Sequence, residues 1–142
     1  MFIKTEQVTD FSSDYQPADD DDFYQDATQA FITSHTAHSE KCEVTFRLKY
    51  SFNHGRSWHY IWVGEEELQH IMPNLVLTYW HNLGGRCQST NFDKYHVFRI
   101  IGEEKRYYKV QWIGYSEEDA SWEMKKKIER IRPLAVLAWK AR

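Results

Sequence analysis

The sequence predicts an α+β fold of two small modules, each a curved three-stranded antiparallel sheet with a C-terminal helix packed across it. Residues 44–50 and 107–113 alternate apolar and polar side chains, which is typical of strands buried on one face. Pro73 and Pro133 each precede apolar residues at helical spacing. The first turn of a helix tolerates proline, because its amide would have no helical partner there. Strands followed by a helix, found twice, predict the two modules.

Turn and breaker residues define the other predicted elements. Residues 53–56 predict a turn that leads into a short strand at residues 58–63, and Gly84 and Gly85 end the first helix. The charged residues 103–106 predict a hairpin turn. The predicted strands of the second module are 95–101, 107–113 and 121–123. The predicted organisation is an acidic, disordered head over 1–22, a first module over 23–85, a polar linker over 86–94 and a second module over 95–142.

An internal repeat relates the two modules. Trp62 precedes Pro73 by eleven positions, and Trp122 precedes Pro133 by the same eleven. Beyond each proline a Val-Leu pair follows at three and four positions, and an aromatic residue follows at six. Shared spacing of this kind predicts two copies of one folding unit. We assign Trp122 to the hydrophobic core of the second copy.

Charge is unevenly distributed along the chain, although the net charge is only −3. Residues 1–26 carry eight acidic side chains against one basic, whereas residues 125–142 carry seven basic against one acidic. Such asymmetry can steer charged partners, and the alternative is two solvated ends that attract each other weakly. Aromatic residues make up 16% of the chain, which suits small cores, aromatic binding sites or both.

Several classes of function are not indicated. No apolar run approaches the ~20 residues that cross a bilayer, and the N-terminal residues lack a signal-peptide core. His35, His38 and Cys42 suggest a metal site, but a fourth ligand is missing. No phosphate-binding loop or nucleophile–base pair has its usual sequence context. We therefore expect an intracellular, non-enzymatic protein that has no catalytic residues, metal or cofactor and no membrane contact.

The second module carries a family resemblance. Tyr95-His96-Val97, Val110 to Tyr115 and Ser116 to Glu123 resemble the signature of the chromodomain, which has a Trp-x-Gly-Tyr motif, a short acidic stretch and Ser-Trp-Glu before a C-terminal helix. The resemblance covers residues 95–142 and is closest to chromodomains of the heterochromatin-protein type. It implies a nuclear, chromatin-associated reader of methylated lysine on a histone tail. Histone H3 is the tail that the resemblance favours.

The resemblance also implies the binding residues. Methylated ammonium keeps its charge while it gains apolar surface, so aromatic faces attract it by ~0.5–2 kcal/mol per ring. The implied cage consists of Tyr95, Trp112, Tyr115 and the acidic Asp119. The implied peptide clamp consists of Phe92, Asp93 and Lys94 on one side and Glu123 and Lys127 on the other. The chain departs from the family at Lys127, where an Asn is usual, and at Phe98, where a Glu is common.

The same departures support a second interpretation, in which the basic segment after the last strand contacts RNA or DNA phosphates, as some chromodomain relatives do. A charge run is more often a solvated face. A third interpretation is a purely scaffolding tandem chromodomain, and a fourth is a targeting piece of a chromatin remodeller or a mobile-element integrase. The candidate nucleic-acid contacts are Lys125, Lys126, Lys127, Arg130 and Arg132.

Residues 23–85 resemble a divergent chromodomain or a chromo-shadow domain. The Trp-x-Gly-Tyr motif is replaced there by Tyr50-Ser51-Phe52-Asn53, so we expect no methyl-lysine binding by this module. The helix that begins at Pro73 is apolar on more faces than one small sheet can cover. We expect it either to form a homodimer or partner contact or to pack on the second module. The candidate contact residues are Leu75, Tyr79, Trp80 and Leu83.

Overall fold

The computed structural model describes residues 23–142, which form two three-stranded antiparallel sheets, each followed by helices. This α+β architecture confirms the predicted fold class. The acidic head predicted over residues 1–22 lies outside the described residues. Two compact units are present, one of residues 23–36 with Val44–Gly64 and the other of Ala37–Glu43 with Glu65–Arg142.

The first sheet has the strand order β1-β2-β3. Its strands are β1 Gln29–His38, β2 Glu43–Ser51 and β3 His59–Gly64. β2 shows the alternation expected from its sequence, because Val44, Phe46, Leu48 and Tyr50 are all buried. β2 and β3 are antiparallel, with Arg47 opposite Trp62 in the register. The predicted strands at residues 44–50 and 58–63 are therefore confirmed.

The second unit contains five helices and the sheet β4-β5-β6. Its helices are α1 Glu65–Ile71, α2 Pro73–Asn82, α3 Arg86–Thr90, α4 Lys125–Ile131 and α5 Pro133–Ala141. Its strands are β4 Val97–Glu103, β5 Tyr107–Trp112 and β6 Ser121–Met124. The inward faces of β4 and β5 meet α4 and α5 in one hydrophobic core. That core consists of Val97, Ile100, Tyr108, Val110, Ile128, Ala135 and Val136, with Trp112 and Trp139 packed against it.

The internal repeat is present in the structure as a pair of broken helices. α1 and α4 begin at residues 65 and 125, and α2 and α5 begin at residues 73 and 133. Met72 and Arg132, the residues before the two prolines, leave the helical conformation with ψ values of 68° and 67°. A proline ring disfavours helical geometry in the residue before it, so one helix becomes two. The sequence predicted only the second helix of each pair.

The polar linker predicted over residues 86–94 contains α3, and the side chains of Thr90 within this helix and of Phe92 beyond it are buried. One expectation is corrected. Trp122 was assigned to the core, but it is 46% exposed. The register explains its exposure, because Trp122 lies opposite Lys109, and Lys109 alternates along β5 with the inward-facing Tyr108 and Val110.

Within residues 23–142, no helix is long and apolar enough to cross a membrane. The same part of the chain contains no group of three or more His, Cys, Asp or Glu side chains that could hold a metal ion.

Candidate functional site

The turn that follows β5 is the structural centre of the candidate site. The Tyr115 N–H donates to the Trp112 carbonyl over 3.0 Å, which closes the turn. Gly114 within it has a φ of +87°, in the region that glycine adopts at little cost. The turn holds Trp112 and Tyr115 close together at the end of the strand. The Gly of the Trp-x-Gly-Tyr motif is thus required by backbone conformation.

The structure brings two of the predicted cage rings into contact. Tyr95 and Tyr115 meet edge to face, with 5.7 Å between ring centroids and 75° between planes. The Ile113 N–H donates to the His96 carbonyl over 2.9 Å, which holds the segment before β4 beside the turn. Tyr95 is 47% exposed and Tyr115 is partly buried, so solvent reaches this aromatic pair.

Trp112, the third predicted ring, is oriented by a chain of polar contacts. Its indole N–H donates to Ser121 Oγ over 2.9 Å, and the Ser121 hydroxyl donates to Glu123 Oε2 over 2.7 Å. The ring is partly buried against the core of the unit. Trp112 therefore packs on the hydrophobic core at the start of the turn, and its substitution should lower stability.

Acidic side chains follow the turn. A short 3-10 helix spans Glu117–Asp119, and the Ser116 hydroxyl caps it by accepting from the Glu118 N–H. Glu117 pairs with Arg99, whereas Asp119 is exposed and has no ion pair with any residue of the described chain. Asp119 is therefore a carboxylate available in the loop that follows Tyr115.

A buried ion pair supports the turn from behind. Arg86 is only 3% exposed, and it donates to both carboxylate oxygens of Glu65, with Nε to Oε2 at 2.9 Å and Nη2 to Oε1 at 2.8 Å. The Trp80 indole N–H donates to the same carboxylate over 2.8 Å. The Arg86 guanidinium lies 5.8 Å from the centre of the Tyr115 ring and 5.3 Å from that of Phe92. One arginine thus connects the carboxylate to two rings.

The electrostatic environment keeps Arg86 charged and the Tyr115 phenol neutral. Desolvation acts to lower the pKa of Arg86, but the hydrogen bonds and charge of Glu65 outweigh it and the pKa rises. Desolvation raises the pKa of Tyr115, and the neighbouring Tyr95 adds to this while Arg86 opposes it. The Tyr115 ring is therefore an uncharged phenol at physiological pH, as an aromatic surface for a cation should be.

Gln69 from α1 fixes the backbone of the turn. Its Oε1 accepts from the Gly114 N–H over 2.7 Å, and its Nε2 donates to the Tyr115 carbonyl over 3.3 Å. Gln111 donates to the same carbonyl over 2.9 Å. Sequence reasoning missed Glu65, Gln69 and Arg86. Glu65 opens an acidic run that resembles a solvated helix end, and no local pattern distinguishes it from its neighbours.

The predicted clamp residues have mixed environments. Phe92 is buried beneath Arg86, Lys94 is exposed, and Asp93 Oδ1 accepts a weak hydrogen bond from the Cys42 thiol. Lys127 donates to Glu123 over 2.8 Å. Desolvation acts to raise the pKa of Glu123, but its hydrogen bonds with Lys127 and Ser121 prevail and lower it. The charge of Lys127, which departs from the family pattern, is therefore partly offset by Glu123.

The basic segment proposed for nucleic-acid contact is largely engaged within the unit. Lys125 pairs with Glu103, Lys127 with Glu123 and Arg132 with Glu66. Lys126 and Arg130 are exposed and have no ion pair among residues 23–142. Counterion release requires cations that are free to meet phosphates, so three of the five candidates are poorly suited to this role.

The candidate partner helix α2 presents only part of its predicted surface. Trp80 is buried, with its indole N–H on Glu65, whereas Leu75 and Tyr79 are partly exposed and Leu83 at the helix end is exposed. Tyr79 contacts Trp80 edge to face at 5.2 Å. Trp80 therefore supports the buried ion pair.

Comparisons with protein-family models, with curated proteins and with solved structures find no match to this chain. The function is consequently argued from the geometry of the site: an accessible aromatic pair, a third ring in the same turn, a nearby carboxylate and a buried ion pair that fixes the turn.

Proposed function

We propose that the second unit binds a methylated lysine on a histone tail, most specifically that of histone H3, through Tyr95, Trp112 and Tyr115. The observation that carries the proposal is the contact between Tyr95 and Tyr115 at the rim of the turn, with both rings reachable from solvent. Aromatic faces attract a cation that has lost hydrogen-bond donors but kept its charge. Asp119 supports the proposal as a carboxylate in the loop that follows Tyr115.

The peptide would bind in an extended conformation. β6 is an outer strand of its sheet, and an outer strand can accept an added strand through its backbone groups. Glu123 on β6 holds Lys127 by an ion pair, which reduces the repulsion between Lys127 and a basic tail. The proposed ligand makes the protein nuclear and chromatin-bound. The first unit would supply a contact with a protein partner, because Phe31 and Trp62 are exposed on it.

The proposal predicts methyl-dependent binding that requires Tyr95. In calorimetric titrations with histone H3 tail peptides, the trimethylated form should bind and the unmethylated form should bind at least about tenfold more weakly. Tyr95→Ala should weaken binding of the methylated peptide about tenfold without lowering the melting temperature, because Tyr95 is exposed and outside the core.

Tyr107→Ala is the matched control, because Tyr107 is similarly exposed but lies at the far end of β5 from the turn. It should leave peptide binding unchanged. Equal affinity for methylated and unmethylated peptides, or equal losses in Tyr95→Ala and Tyr107→Ala, would reject the cage.

A further inference from the structure

The outer face of the second sheet carries an exposed aromatic surface that the cage does not use. In the register of β5 with β6, Trp122 lies opposite Lys109 and Met124 lies opposite Tyr107. These four side chains share the face opposite to the core, because Tyr108 between them points inward. Trp122, Tyr107 and Met124 are among the most exposed large apolar residues of the unit.

The Trp122 indole extends across this face. A Cβ atom placed on Gly102 would come within 3.6 Å of Trp122 Cη2 and within 3.2 Å of Lys109 Cβ. Gly102 belongs to β4 and Trp122 to β6, with β5 between them, and neighbouring strands are about 4.8 Å apart. The indole can reach β4 only by lying across the central strand. Because Trp122 is 46% exposed, the indole offers a planar aromatic surface to solvent.

Cations without an ion pair among residues 23–142 lie on β5, in the hairpin before it and at the start of α4. Lys109 Nζ lies 6.0 Å from the Trp122 ring centre, and Lys105 and Arg106 form the hairpin between β4 and β5. The Arg106 carbonyl accepts from the Lys125 N–H over 2.9 Å, which brings this hairpin to the start of α4, where Lys126 is exposed. None of these four cations has an ion pair with residues 23–142, and Glu104 is the one acid in the hairpin turn itself.

The first sheet repeats the central pair of this surface. Arg47 lies opposite Trp62 there, as Lys109 lies opposite Trp122 in the second sheet, and Trp62 is also 46% exposed. The register therefore places a basic residue opposite an exposed tryptophan in both copies of the repeat.

We propose that the outer face of the second sheet binds single-stranded nucleic acid, with a base stacked on Trp122 and flanking phosphates on Lys109, Lys126 and the hairpin cations. Every base has a planar face that can stack on an indole, whereas bases in a duplex are covered by their neighbours. The excess of unpaired cations favours a polyanion over an apolar protein surface. The proposal uses residues other than the cage and does not depend on peptide binding.

Fluorescence anisotropy of the full chain with labelled single-stranded decathymidylate and decauridylate tests the proposal. Both should bind more tightly than a duplex of equal length, and binding should weaken as salt rises from about 50 to 200 mM. Trp122→Ala should weaken binding about tenfold, Trp122→Phe should weaken it less, and Lys109→Gln should reduce the salt dependence. Tyr95→Ala, which removes a cage ring, should have no effect.

No single-strand binding below about 100 µM at low salt would reject the proposal. Binding that Trp122→Ala leaves unchanged would reject base stacking on Trp122 and indicate the basic residues of α4. If Trp122→Ala lowers the melting temperature, the variant that combines Lys109→Gln with Lys126→Gln decides the question, because both side chains lie outside the core. An unchanged affinity and salt dependence in that variant would also overturn the proposal.

Discussion

Gly114→Ala is expected to destabilise the second unit by about 2–5 kcal/mol, for two separate reasons. At a φ of +87° an alanine costs about 1–2 kcal/mol in backbone strain. The new Cβ would also lie only 2.1 Å from Arg86 Cδ and 2.8 Å from Glu65 Oε2. These atoms belong to a buried ion pair and cannot move away freely, so overpacking adds about 1–3 kcal/mol. The free energy of unfolding from urea titration, followed by tryptophan fluorescence, measures the effect.

Gly84→Ala is the matched control for this substitution. Gly84 has nearly the same positive φ, of 91°, but the nearest atom to a Cβ there would be Gln88 Oε1 at 3.8 Å, an ordinary van der Waals contact. It should therefore cost only the backbone strain, about 1–2 kcal/mol. The difference between the two variants isolates the packing of Arg86 against the turn. Equal losses of unfolding free energy in the two variants would mean that Arg86 does not pack closely against Gly114.

The sequence predicted those elements whose signal is local. The alternation at residues 44–50 and 107–113 predicted β2 and β5. A strand that buries one face shows this pattern over only a few consecutive residues. α1 and α4 were missed because each has only seven residues and is rich in charge, so neither shows an apolar stripe. Trp122 was misassigned because β6 has four residues, too few for a pattern to decide which face is buried.

The candidate site also depends on residues that no local sequence pattern identifies. The resemblance indicated Tyr95, Trp112 and Tyr115, all within the residues 95–142 that it covers. The support of the turn after β5 comes from Glu65, Gln69 and Arg86, which lie between twenty-eight and forty-nine positions before Gly114. Whether a glutamate in an acidic run is solvated or buried depends on tertiary packing, and the local sequence does not indicate which. This part of the site could be found only from the structure.

Arg86→Met is expected to cost about 3–5 kcal/mol of stability, because it leaves the Glu65 carboxylate buried without its cation. Both side chains of this pair are about 2% exposed, so water cannot replace the lost partner. Arg99→Met is the matched control, since the ion pair of Arg99 with Glu117 is about half exposed and should contribute less than about 1 kcal/mol. Urea titration of the two variants measures both values. A loss in Arg86→Met as small as that in Arg99→Met would contradict the burial of the pair.

A double substitution separates the ion pair from simple packing. Glu65→Gln combined with Arg86→Met removes both charges, yet the Gln carbonyl can still accept from the Trp80 indole N–H that Glu65 satisfies now. The combined loss should therefore be smaller than the sum of the two single losses, by about 1–3 kcal/mol of coupling. The double variant should keep its fold. It should still bind methylated peptide more weakly than wild type, because it removes the Arg86 guanidinium from the Tyr115 ring. Additive stability losses would mean that the two side chains act independently, and unchanged peptide affinity would mean that Arg86 supports the fold without orienting Tyr115.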